Sequence, residues 1–201
     1  KVERYEKMLA AWDDLMTICE MAAEEDDDSM LEELKEGYDA LVAALGAKQN
    51  VKLTTDITFP TTAPEAAIAE LWDKSVIDGN GFGFKGVTLT RGMFTVADGA
   101  HFTIKDLDIE ATLTVSQTYT TVYEKDPTNA TEENVESYFG VIADIITNVS
   151  FDLNNVIVTV TANNTVTGKG TGIAGMIGYV TLAPDSESTV YGCTVNGSII
   201  H

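Results

Sequence analysis

Cysteine is scarce in this chain. Cys19 and Cys193 are the only two among 201 residues, and they lie far apart in regions of different periodicity. Two such residues do not make the bridge framework that holds a small disulfide-rich domain together. Basic residues are scarce as well. The chain has 12 Lys+Arg against 32 Asp+Glu, a formal net charge of -20. Such a surface repels phosphate backbones, which excludes nucleic acid as an expected partner and argues against anionic membranes. No apolar run approaches the ~20 residues of a membrane-crossing helix, so no membrane insertion is expected. No secretory leader is visible. The chain opens at Lys1 rather than Met and stops at Ile200-His201, directly after a repeat. A stacked array needs a cap over its last unit, so a trimmed start and a continuation past residue 201 are expected.

A repeated apolar spacing is present instead. Phe84, Val87, Leu89 and Met93 follow Φ-x-x-Φ-x-Φ-x-x-x-Φ. The same spacing recurs at Ile104, Leu107, Ile109 and Leu113; at Leu153, Val156, Val158 and Ala162; and at Val190, Cys193, Val195 and Ile199. Shared spacing without shared identity is what stacked coils produce, because each coil fills the same points of a common interior. Cys193 then takes an inward slot as a small buried hydrophobe. The starts of the four copies are separated by 20, 49 and 37 residues. Gly92-Met93-Phe94, Gly140-Val141-Ile142 and Gly175-Met176-Ile177 precede the last three copies by 12, 13 and 15 residues. Each is expected to open a strand at a corner where glycine permits positive φ and close approach of neighbouring coils. The Thr-rich stretch 115–138 reads as an insertion.

Residues 1–45 follow a different period. Val2, Tyr5, Leu9, Trp12, Met16, Cys19 and Ala23 form one heptad seam, and Leu31, Leu34, Tyr38, Leu41 and Leu45 form another. The run Glu24-Glu25-Asp26-Asp27-Asp28 separates them, Ser29 with Glu32 forms a capping-box sequence, and Gly46 stands at a helix C-cap position. An antiparallel helical hairpin is expected. It has 4 basic and 14 acidic residues, -10, and the other residues have 8 and 18, another -10. After Gly46, Asn50 to Phe59 reads as a strand, 64–73 as a short helix begun by Pro64, and Asp78-Gly79-Asn80-Gly81 as a tight turn. The expected fold is mainly β: a right-handed parallel β-helix, or β-solenoid, over 47–201, with an N-terminal α-helical hairpin over 1–46 that caps its first coil.

Two resemblances add to this. The stretch from Trp12-Asp13-Asp14-Leu15 through Glu20-Met21-Ala22-Ala23 to the acidic run resembles the N-terminal helical domain of bacterial class I peptide chain release factors. The Gly-Gly-Gln tripeptide on which that family's activity depends is missing, as is its basic surface. Residues 75–82, 102–109, 172–179 and 191–199 look like those of adhesin-like, pectate-lyase-type β-helix proteins of bacterial surfaces. That resemblance implies export and an extracellular or cell-surface location.

Candidate sites follow from outward positions. Asp106, Asp108 and Glu110 alternate with Leu107 and Ile109. With the apolar pair inward, the carboxylates share one outer face and suit Ca²⁺. The adhesin resemblance adds that lyases of this fold use such a patch to bridge uronate substrates. Lys105, Arg91 and His101 are close enough in sequence to supply a base or a carboxylate clamp. The plainer reading is a solvated strand face whose charge guards the edge against aggregation. Tyr119, Tyr123 and Tyr138 stand in or beside the insertion, where aromatics stack on sugar faces or, more plainly, anchor the insertion. Asn129, Asn148, Asn163 and Asn196 begin N-x-Ser/Thr triplets, for which coil turns are the simpler account. The expected function is a non-catalytic surface-binding or structural module for a glycan or an extracellular protein surface. A Ca²⁺-dependent polysaccharide lyase or hydrolase and a passive spacer are the alternatives.

Overall fold

The computed structural model describes residues 31–34, 37–115, 122–124, 135–165 and 171–200. Compactness divides the chain after Leu31, and nearly all described residues belong to the unit Glu32–His201. The unit is mainly β, with parallel sheets and one helix among the described residues.

The first of the two predicted hairpin helices lies outside the described residues. The second is shorter than its heptad seam suggests. Leu31–Leu34 is a strand, β1, and the helix α1 spans Tyr38–Gly46. Gly37, at φ 56°, separates them. A left-handed residue cannot continue an α-helical ladder, so the seam is cut there. Leu41, Ala44 and Leu45 form the buried stripe of α1, the i, i+3, i+4 pattern of a helix packed on one side. Gly46 lies within the last turn; the left-handed residue is Lys48, at φ 58°.

The strands that follow are β2 (Asn50–Leu53), β3 (Ile57–Thr58), β4 (Ala69–Leu71), β5 (Ser75–Asp78), β6 (Gly83–Leu89), β7 (Phe94–Val96), β8 (His101–Lys105) and β9 (Asp108–Val115). Next come β10 (Val122–Glu124), β11 (Val135–Phe139), β12 (Ala143–Asn154), β13 (Ile157–Asn164), β14 (Thr171–Ile173), β15 (Ile177–Leu182), β16 (Thr189–Tyr191) and β17 (Thr194–Ile200). Residues 64–73 contain β4 rather than the predicted helix; Ala69–Leu71 pairs parallel with Phe94–Val96. The predicted strand Asn50–Phe59 is broken into β2 and β3.

Two parallel sheets set the core. In the first, β2, β5, β8 and β12 follow one another, β15 pairs with the first half of β12, and β16 with its second half. In the second, the order is β3-β6-β9-β13-β17. Pairing puts apolar residues in register across successive strands. Val51, Ile77, Ile104, Leu153 and Val190 form one row. Ile57, Phe84, Ile109, Val158 and Val195 form a second. Leu89, Leu113, Ala162 and Ile199 form a third. All but the last member of each row are buried, and all of these except Ala162 belong to one cluster. Each fully buried aliphatic or aromatic side chain contributes about 1.5–3 kcal/mol.

The last three copies of the apolar spacing therefore align as expected. The first does not. Phe84 pairs with Ile109, and the residue in register with Ile104 is Ile77. The turn at Asp78-Gly79-Asn80-Gly81 is longer than its counterparts, and a register shift at Gly86, φ 65°, absorbs one residue more in β6. The turn itself is as predicted: the Asn80 N–H donates to Asp78 Oδ1 at 2.7 Å, and that of Phe82 to Gly79 O at 2.7 Å.

The three Gly-led segments also stack. Met93 donates to Val141 O, Phe94 to Ile142 O, and Ile142 to Met176 O. A Cβ on Gly92 would come within 2.7 Å of Ala143 Cα, and one on Gly140 within 2.5 Å of Met176 O. Close approach is thus the reason for these glycines; neither has positive φ. Within 115–138, β10 runs antiparallel to β11, and β11 pairs parallel with β14.

Candidate functional site

Alternation along β8 and β12 decides which side chains face outward. Phe102, Ile104, Phe151 and Leu153 are buried, so His101, Thr103 and Lys105 share the opposite face with Ser150, Asp152 and Asn154. Register then aligns them. His101 lies opposite Ser150, and Thr103 lies opposite Asp152, which pairs with Thr189. Asp78, Lys105, Asn154 and Tyr191 form a further row.

These side chains are bonded to one another. The His101 ring sets Nδ1 2.8 Å from Ser150 Oγ and Nε2 3.0 Å from Asp152 Oδ2. Thr189 Oγ1 donates to Asp152 Oδ1. The His101 N–H donates to Asp73 Oδ1 at 3.1 Å, and Lys105 Nζ lies 3.3 Å from Asp78 Oδ2. The hydrogen bond from Thr189, followed by that from His101, holds the Asp152 carboxyl below its usual range. Tyr191 ends its row and is 73% exposed.

Ser150, His101 and Asp152 contain the groups of a nucleophilic relay. Acyl transfer also needs free backbone donors beside the hydroxyl to hold an oxyanion. Here the Ser150 N–H donates to Ala100 O and the Phe151 N–H to Ser188 Oγ, each at 3.0 Å. Ser150 is buried as well. The chemistry offered is a flat array of donors and acceptors ending in an exposed ring.

The sequence-predicted sites are placed differently. Asp106 is not on a strand face. It occupies the corner between β8 and β9 at φ 50°, and its Oδ1 accepts from Asn155 Nδ2 at 2.9 Å. Asn80, Asp106, Asn155 and Gly192 all take left-handed φ at this corner in successive layers. Short polar side chains and glycine tolerate that conformation best. Asp108 and Glu110 do face outward from β9, with Leu107 and Ile109 buried. Glu110 Oε1 accepts from Lys85 Nζ at 2.7 Å, which holds the lysine charged above its usual range. Among the described residues, no three His, Cys, Asp or Glu side chains are grouped as a metal site. His101 and Lys105 share the outer face described above, whereas Arg91 lies between β6 and β7.

Tyr119 lies outside the described residues. Tyr123 is in β10, opposite Glu136. Tyr138 is half-buried, with its ring 5.1 Å from that of Tyr179 and against Gly172. This contact anchors β11 to the neighbouring strands. Of the triplet asparagines, Asn129 lies outside the described residues. Asn148 marks the register shift in β12 at φ 55°, and Asn163 and Asn196 lie within β13 and β17. Cys193 is half-buried, with Sγ 3.3 Å from Leu153 O. Sequence reasoning missed Ser150, Asp152, Thr189 and Tyr191, because only pairing brings β12 beside β8 and β16 beside β12. The period-2 alternation of these strands was their one available signal.

In comparisons with known proteins, no family model, curated protein or solved structure matches the chain.

Proposed function

We propose that the parallel strand stack is a right-handed β-helix and that the chain acts as a non-catalytic, extracellular or cell-surface binding module. Its ligand class is a glycan, seated on the outer face that carries His101, Asp152, Lys105, Asn154 and Tyr191. The observation that carries this reading is the alignment of those polar side chains in rows across paired strands. Strands lie about 4.8 Å apart, so the rows repeat donors and acceptors at a spacing comparable to a sugar ring. Tyr191 supplies an exposed ring with an apolar body and a polar tip, suited to the face of a pyranose. The right-handed sense follows from the handedness of parallel crossover connections. Export agrees with the resemblance to surface β-helix proteins.

The test is a broad glycan array probed with the purified chain, with Ca²⁺ and with chelator. Binding is expected in both conditions. Tyr191→Ala should weaken it about tenfold, the equivalent of ~1.4 kcal/mol of lost stacking. Binding that survives Tyr191→Ala and His101→Ala unchanged would remove this face from consideration. Binding lost only with chelator would return attention to Asp108 and Glu110.

A further inference from the structure

We propose that the outer face of the strands β6, β9 and β13 binds ice. Alternation again decides which side chains point outward. Leu89, Leu113, Val160 and Ala162 are buried, so Thr88, Thr112, Thr114, Thr159, Thr161 and Asn163 stand on the opposite face. Register lines them up. Thr88 lies opposite Thr112, and Thr112 opposite Thr161. Thr114 lies opposite Asn163 in the neighbouring row. β9 and β13 pair from Asp108 to Val115 without a shift, so the rows stay parallel. They repeat about every 4.8 Å across the strands and about every 6.7 Å along them. The oxygens of ice repeat in two directions on the same scale. Each lattice water both donates and accepts, as a threonine hydroxyl does.

These hydroxyls are free and held in place. Among the described residues, none of the five threonine hydroxyls bonds to a protein group, and none is sealed from solvent. The outer face of the first sheet differs: there His101, Ser150, Asp152 and Thr189 satisfy one another. Threonine is branched at Cβ, which restricts χ1, so its oxygen is positioned before any ligand arrives.

Composition selects the ligand. None of the six outward residues is aromatic, so the face lacks the rings on which a sugar stacks. None is charged, although the chain has 12 Lys+Arg and 32 Asp+Glu. A charge would keep its own hydration shell against the lattice, and an ionic partner finds no counter-charge here. The nearest charged pair, Lys85 and Glu110, is neutralised at the border of the array, 2.7 Å apart. What the face offers is a rigid, neutral, repeating set of donors and acceptors, and a water crystal repeats in kind. This face belongs to a different sheet from the glycan face, and neither binding depends on the other.

Nanolitre osmometry on the intact chain is the test. A single ice crystal held in the solution should stop growing over an interval below its melting point and take on facets. Thr161→Tyr sets a bulky ring in the array, at an outward strand position where aromatics are well tolerated. It should remove most of that interval with the urea midpoint unchanged. Thr95→Tyr, at an exposed threonine of β7, should leave the interval whole. If Thr161→Tyr lowers the urea midpoint, Thr112→Lys on the adjacent strand is read in the same way. A wild-type chain in which the crystal grows as it does in buffer overturns the proposal. So does an interval that survives Thr161→Tyr or Thr112→Lys in folded protein, or one that Thr95→Tyr shortens as much.

Discussion

Asp152 joins two roles in one carboxylate. It accepts from Thr189 and faces the His101 ring, and both contacts favour its ionised form. A carboxyl whose folded pKa is depressed adds stability above its unfolded pKa, and that stability is lost as pH falls through the folded value. Thr189→Val removes the largest of the causes. The variant should be less stable than wild type at neutral pH, by less than about 1.5 kcal/mol because the carboxylate is partly solvated. The difference should narrow on acidification below the unfolded pKa of about 3.9 and vanish below the folded one. Urea unfolding at neutral pH and near pH 2 checks this; a difference that persists at the lower pH would mean that Thr189 acts by packing alone. None of this was legible beforehand, since Asp152 and Thr189 are 37 residues apart. Asp106 taught the opposite lesson. Its alternation with Leu107 and Ile109 was plain, yet a left-handed backbone at the corner took it off the strand face.

Among the elements, β12 bears the most. Its two halves serve different neighbours, with the break at Asn148. Just before it, the Asp144 carboxylate accepts from the N–H of Gly92 at 2.8 Å and of Gly140 at 3.1 Å. Gly140→Ala would drive a methyl group to 2.5–2.6 Å from Ala143 O, Met176 O and Gly178 N, all backbone atoms. Backbone held in paired strands yields poorly, so a loss of about 1–3 kcal/mol is expected. The urea midpoint should fall with an unchanged slope, and an unchanged midpoint would show that the layers part at little cost. Glycine before an apolar pair was a readable signal of this contact. The layer containing β5 and β6 was harder to read. Its longer turn and its shift at Gly86 hid Ile77 as the true partner of Ile104, and a spacing match placed Phe84 there instead.

For the whole molecule, charge is the dominant fact. With -20 at neutral pH, self-repulsion opposes the compact state. The Debye length falls from about 10 Å at 0.1 M salt to about 3 Å at 1 M, so added NaCl should raise the melting temperature by several degrees. A melting temperature that falls would mean that attractive pairs such as Lys105–Asp78 and Lys85–Glu110 outweigh the repulsion.

The sequence by itself determined the class of fold, because burial imposes period and a shared interior imposes shared spacing. It also fixed the glycines of close approach and the turn after Asp78. Tertiary structure alone decided the register of the first layer, the extent of α1, and the outer face of His101, Asp152 and Tyr191. Those depend on left-handed corners and on pairing between strands tens of residues apart. Local pattern has no means of recording either, since each is settled by which backbone lies alongside which.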